Sequence, residues 1–133
     1  MNKYRLSDLK KTLLSYGGNK VVFNRTEEDL YDIIDKGQLW GNNKYLIKME
    51  MCQCHKNSIF YWDKNRKDSF FVTGYALANN GIWYQHSWIL NKHNDVIDTT
   101  ADRIKYFGFI LTNLESEIFL STYNKETINV ESL

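Results

Sequence analysis

The chain is marked first by what it lacks: it has two cysteines, no proline and no apolar run long enough to cross a bilayer. Cys52 and Cys54 lie so close in sequence that a bridge between them would close too short a loop to staple a fold, so both are read as thiols. The absence of proline carries no functional argument. Seventeen basic residues against sixteen acidic ones leave a net charge of +1, so no global field recruits nucleic acid or an anionic membrane. Neither is expected as a partner. No stretch approaches the roughly 20 apolar residues of a membrane span, and the first residues lack the apolar segment and cleavage site of a signal peptide. A cytoplasmic location, in the producing cell or its host, is the expectation. Internal repeats, low-complexity segments and glycine-rich phosphate loops are also missing, which removes solenoids and nucleotide-binding loops from consideration.

What is present belongs to a globular domain. A hydrophobic fraction of 43% and an aromatic fraction of 15% over 133 residues supply enough large apolar side chains to oppose chain entropy in one core. A single domain over 1–133 is expected. Ser7 to Tyr16 reads as an amphipathic helix, capped by Ser7, with Leu6, Leu9 and Leu13 on one face and Gly17-Gly18 as its stop. Val21-Val22-Phe23 is a short extended run. A second helix starts at Thr26, with Glu27, Glu28 and Asp29 at its positive end and Leu30, Ile33 and Ile34 inward, and stops at Gly37. Asn42-Asn43 reads as a turn before a short strand over 45–49. Cys54 to about Trp62 reads as a helix, which puts a thiol at a helix N-terminus.

The second half changes character. Phe70 to Ala78 is rich in aromatic and β-branched residues, and Asn79-Asn80-Gly81 signals a hairpin turn to a return strand over 82–90. A polar turn at Lys92 to Asp95 leads to Val96–Thr99, Tyr106 to Ile110 adds a strand, and a closing helix over 112–123 presents Leu114, Ile118 and Phe119 inward. Helices followed by a meander make the α+β class, with an antiparallel sheet.

A sulfur nucleophile works as thiolate, and a free cysteine near pKa ~8.5 is mostly protonated at neutral pH. A helix N-terminus and an imidazole partner both lower that value. Cys54 has the first by position. His86, in Tyr84-Gln85-His86-Ser87-Trp88, is the candidate for the second, because an imidazole of pKa ~6.5 exchanges protons near neutrality and a strand holds it rigidly. Asp98, across the next hairpin, would fix the ring's tautomer. If Trp88 lies opposite Asp98, the His86 and Asp98 side chains share one face as diagonal neighbours. A one-residue slip would separate them, so an odd-numbered loop around Asn91 to Asp95, or a bulge, is required.

The strings Cys54-His55-Lys56-Asn57, Thr73-Gly74-Tyr75-Ala76, His86-Ser87-Trp88, Ile97-Asp98-Thr99-Thr100 and Tyr106-Phe107-Gly108 resemble, in the same order, a group of small, mostly uncharacterised bacterial and phage proteins. Those read Cys-x-x-Asn, Gly-Tyr-Ala, His-Ala-Trp, Ile-Asp-Pro-Thr and Tyr-hydrophobic-Gly. The His-x-Trp and Asp-x-Thr pieces are also similar to the core of transglutaminase-like proteins. The resemblance covers about Cys54 to Leu111 and implies the papain-like superfamily, with a cysteine opening a helix that packs on an antiparallel sheet bearing the histidine and the acid. Thr99 stands where proline is usual, and Cys52 is an additional thiol, read as structural or as a bystander.

Around these three residues, Gln85, Gln53 and the backbone N–H of Cys54 are candidate oxyanion donors. Asn57 either reaches the site or anchors its loop, and Trp88 is a core or cleft wall. His55 and His93 are not expected to be catalytic. A zinc site from Cys52, Cys54, His55 and His86 lacks the second pair of ligands that structural sites use, so neither metal nor cofactor is expected. The resulting expectation is a thiol hydrolase or acyltransferase acting on an amide or acyl bond of a peptide, protein or small amide. The rival is an inactive papain-like binding module, such as a phage or mobile-element protein that engages a host protein.

Overall fold

The computed structural model describes residues 4–23, 27, 29–41, 43–51 and 53–131, and side chains as far as Tyr123. Its elements run α1 (Leu6–Tyr16), β1 (Lys20–Val22), α2 (Leu30–Lys36), β2 (Gln38–Trp40), β3 (Lys44–Leu46), α3 (Cys54–Lys64), β4 (Ser69–Leu77), β5 (Ile82–Asn91), β6 (Val96–Asp98), β7 (Lys105–Ile110) and α4 (Asn113–Glu131). This is an α+β chain with four helices on one mixed sheet, among the described residues. Among the described residues no helix is long and apolar enough to cross a membrane.

The sheet runs β2-β7-β4-β5-β6-β3, and β1 adds to β5. The expectation of an antiparallel sheet is corrected here, because β1 pairs with β5 and β3 with β6 in parallel. Both additions are three residues long, too short to show any periodicity in the sequence. The central hairpin follows its turn signal: Gly81 takes φ 83°, Ala78 N–H donates to Ile82 at 3.0 Å, and Asn80 Oδ1 accepts from Ile82 N–H at 3.0 Å. Glycine suits this left-handed position because it has no Cβ to clash.

Alternation along β4 and β5 divides the interior. Phe71, Tyr75, Leu77, Trp83 and Ile89 face the helices and pack with Leu9, Leu13, Ile33, Ile59, Trp62 and Leu120. Val72, Ala76, Trp88 and Leu90 face the other way and meet Trp40, Val96 and Tyr106. Every member of that second cluster comes from a strand, so the sheet covers it by curling upon itself. The curl needs close approach: a Cβ on Gly108 would lie 2.4 Å from the Thr73 carbonyl and 2.8 Å from the Trp88 ring.

Several helix details depart from expectation. Asp8, not Ser7, caps α1 by accepting from Arg5 N–H at 2.7 Å, and Leu6 is partly exposed while Leu9 and Leu13 are buried. Thr26 and Glu28 lie outside the described residues, and α2 opens at Leu30 after Asp29. In α4, Leu114 and Ile118 are 68% and 61% exposed, and Ser116 and Leu120 take the inward face instead. The seat of α4 is set by α3, where Phe60 meets Tyr123, and by β4, where Phe71 meets Phe119.

Candidate active site

The site forms where the outer edge of β5 is left open. β1 covers that edge at Ile82 to Tyr84 and β6 covers it at Ile89 and Leu90. Between them, Gln85 to Trp88 have no strand on that side in the described pairings, and the first turn of α3 fills the gap. Ser87 is its anchor: its carbonyl accepts from Ser58 Oγ at 3.2 Å, its hydroxyl pairs with His55 Nδ1 and reaches Thr73 Oγ1 at 3.0 Å, and its N–H donates to the Cys54 sulfur. Cys54 is thereby held at the first residue of a helix, where unpaired N–H groups and the dipole favour negative charge.

The spacing of the β5–β6 connection meets the condition set by the sequence. Ile89 lies opposite Ile97 and Leu90 opposite Val96, and the same register carried one pair further sets Trp88 opposite Asp98. Asn91 shapes the intervening turn, its Oδ1 accepting from His93 and Asp95 N–H at 2.9 and 3.0 Å. Asn94 takes φ 65°, a left-handed conformation that asparagine tolerates. His86 and Asp98 then share a face, with His86 Nε2 2.8 Å from Asp98 Oδ2.

Asp98 is buried and saturated with donors. Its Oδ2 also accepts from the Tyr106 hydroxyl at 2.7 Å, and its Oδ1 accepts from Thr100 N–H, Thr100 Oγ1 and Ala101 N–H at 3.0, 3.2 and 3.4 Å. A carboxylate only accepts, so the proton between them sits on His86 Nε2 and Nδ1 is left for Cys54. Burial works against the carboxylate, but the bond and charge of His86 outweigh it and hold Asp98 down at about 2. Burial likewise opposes the imidazolium, yet Asp98 and Cys54 raise His86 to about 9. For Cys54, burial raises the thiol, and the hydrogen bond and charge of His86 together with the Ser87 N–H bring it below its ordinary value. These directions agree with an ion pair of thiolate and imidazolium at neutral pH.

The structure brings Cys54, His86 and Asp98 together and disperses the secondary candidates. Trp88 is completely buried, stacked against His86 and packed on Trp40 and Tyr106, so it supports the site from behind and touches no substrate. Asn57 is buried and donates to the Glu50 carbonyl at 2.6 Å, which ties down the loop before Cys54. Gln85 lines the cleft and donates one of its two amide N–H groups to Glu27 at 2.9 Å, which leaves the second. Gln53 is exposed beside Cys54 and makes no capping bond. Cys52 lies outside the described residues, and His93 sits in the exposed β5–β6 turn. Among the described residues no group of three or more side chains is arranged to hold a metal ion.

Three contributors stand in the quoted strings without a site role assigned to them. Thr100 is the one with a readable signal, because Asp-x-Thr is the pattern in which an aspartate accepts from N–H groups two residues on. Tyr106 opens the Tyr-hydrophobic-Gly string, which marks the position but not its bond to Asp98, and Ser87 looks like an ordinary strand residue. An open cleft of about 440 Å³ exposes Cys54 and His86 between apolar Ala78 and Ala101 and polar Gln85 and Arg103. No family model matches this chain, and no curated protein or solved structure matches it either.

Proposed function

We propose that this chain is a papain-like thiol enzyme, a hydrolase or acyltransferase acting on an amide or acyl bond through Cys54, His86 and Asp98. The observation that carries the reading is one imidazole shared between a thiol at a helix N-terminus and a buried carboxylate. Cys54 thiolate adds to the substrate carbonyl carbon, and the π pair moves onto oxygen. The Cys54 N–H and the Gln53 and Gln85 amides are the candidate donors for that oxyanion. As the tetrahedral adduct collapses, the C–N bond breaks and His86 passes its Nδ1 proton to the departing nitrogen, leaving a thioester on Cys54. His86 then takes a proton from the incoming nucleophile, the C–S bond breaks, and the thiolate–imidazolium pair returns. Water as acceptor makes a peptidase, amidase or deamidase; an amine makes a transferase. Asp98 keeps the ring's Nε2 protonated throughout and stabilises its positive charge.

The test is a burst assay with p-nitrophenyl acetate on protein carrying Cys52→Ser. Near-stoichiometric nitrophenolate release with acetyl mapped to Cys54, lost in Cys54→Ala and greatly slowed in His86→Ala, is the expected result. Acetylation confined to lysines, with no burst, would contradict the enzyme reading and give the lead to a binding module on the same frame.

A further inference from the structure

The backbone at Arg103 and Ile104 is held by three contacts, while the Arg103 guanidinium is claimed by nothing described. Its N–H bonds the Tyr106 hydroxyl, its carbonyl accepts from Lys44 Nζ, and the next residue, Ile104, donates to Leu77 at 2.8 Å. Its side chain is half-buried, and Nε is sealed from solvent without a hydrogen-bond partner. The adjacent carboxylate of Asp102 is engaged by Lys44 at 3.2 Å and does not answer it. A solvated surface arginine would have water at every nitrogen; this one does not.

The Arg103 side chain lines the same cleft as Cys54 and His86, and among the described residues no aspartate or glutamate lines it. Ionised Cys54, His86 and Asp98 together carry one negative charge, with Asp98 buried behind the imidazole, and among the described residues Arg103 is the only lysine or arginine that lines the cleft, so Arg103 supplies the unpaired positive field of the cleft. Its apolar walls at Ala78 and Ala101 lower the local screening and strengthen that field. A planar guanidinium with donors in a fixed fork matches a carboxylate. We infer that Arg103 is a specificity-determining residue that pairs with a carboxylate carried by the acyl substrate near its reacting carbonyl. The inference rests on the thiol-enzyme reading above.

It is tested with three alkylating probes of one electrophile and different charge: N-iodoacetylglycine, its neutral amide N-iodoacetylglycinamide, and cationic N-iodoacetylethylenediamine. In each, the Cys54 sulfur bonds the methylene carbon and iodide leaves. Rates at Cys54 are measured by mass spectrometry in protein carrying Cys52→Ser, alone and with Arg103→Gln or Arg103→Lys. Taking the anionic-to-neutral ratio within each variant cancels changes in the sulfur's own reactivity. The ratio is expected to fall about fivefold or more in Arg103→Gln and to be largely kept in Arg103→Lys, while the cationic probe gains in Arg103→Gln. Raising salt from about 20 to about 500 mM should lower the ratio in the parent more than in Arg103→Gln. Equal ratios in parent and Arg103→Gln, with the neutral probe still reacting fast, would overturn the role of Arg103 alone. If the neutral probe reacts no faster than with a free thiol, the thiol-enzyme reading falls and this inference with it.

Discussion

Gln85 and His86 are neighbours on one strand, face opposite sides of the sheet, and are bound in nearly the same way. Gln85 donates to Glu27 Oε2 at 2.9 Å, where the Tyr75 hydroxyl also donates at 2.8 Å. His86 donates to Asp98 Oδ2 at 2.8 Å, where the Tyr106 hydroxyl also donates at 2.7 Å. Both carboxylates are buried, and both tyrosines are pushed above their usual range by burial and by the carboxylate each one meets. The difference lies in the strand residue. A carboxamide stays neutral, so the Glu27 group is a tie between the α2 approach and the sheet. An imidazole titrates and has a second nitrogen, which lets the Asp98 group act on Cys54. A buried carboxylate with a tyrosine is thus a structural device that becomes a chemical one only when its third member can move a proton.

The comparison breaks most visibly at Asp98. Asp98→Asn should lower the acylation rate of Cys54 by roughly a thousandfold or more, because the amide no longer imposes the working tautomer on His86; stopped-flow burst kinetics measure it. Glu27→Ala should cost about 2 kcal/mol in urea unfolding, since it strands the buried Tyr75 hydroxyl and the part-buried Gln85 amide. The pH profile of Cys54 alkylation should stay where it was, and a displaced profile would show that the two groups are coupled.

The pH dependence of stability sharpens the contrast. Asp98 is depressed in the folded state to about 2, so its stabilisation is full above pH ~4 and is lost as pH falls through 2, about 2 kcal/mol in all. His86 is raised to about 9, so its share is full below pH ~6.5 and is lost as pH rises through 9. Urea midpoints measured across this range should fall at both ends, and Asp98→Asn should flatten the acid limb. The smallest effects come from the hydroxyls. Tyr106→Phe and Tyr75→Phe should each cost about 1 kcal/mol, but only Tyr106→Phe should move the acid limb to higher pH.

This asymmetry also explains what could be read from the sequence. His86, Asp98 and the odd-numbered turn between them follow from alternation along two adjacent strands, and Cys54 follows from the helix start beside it. Those are local patterns. Glu27 reads from sequence as an acid at a helix N-terminus, yet it turns into the interior because Tyr75 and Gln85, far along the chain, offer it donors. The bond from Gln85 to Glu27 is hidden from the sequence for the same reason. The parallel additions of β1 and β3 were equally hidden, since three-residue strands take their partners from a sheet built elsewhere. In α4, Phe119 and Tyr123 pack where α3 and β4 present aromatic rings, and that rotates Leu114 and Ile118 outward against their own periodicity.

The central claim is that His86 draws Cys54 into an ion pair, and the pH dependence of iodoacetamide alkylation tests it most directly. Cys52 and Cys54 fall between Lys48 and Lys56 and share one tryptic peptide, so the measurement uses protein carrying Cys52→Ser. With His86 present, alkylation of Cys54 should show a midpoint well below the free-thiol value of ~8.5, and His86→Ala should return the midpoint to that value or above it. Free-thiol midpoints in both proteins would contradict the account.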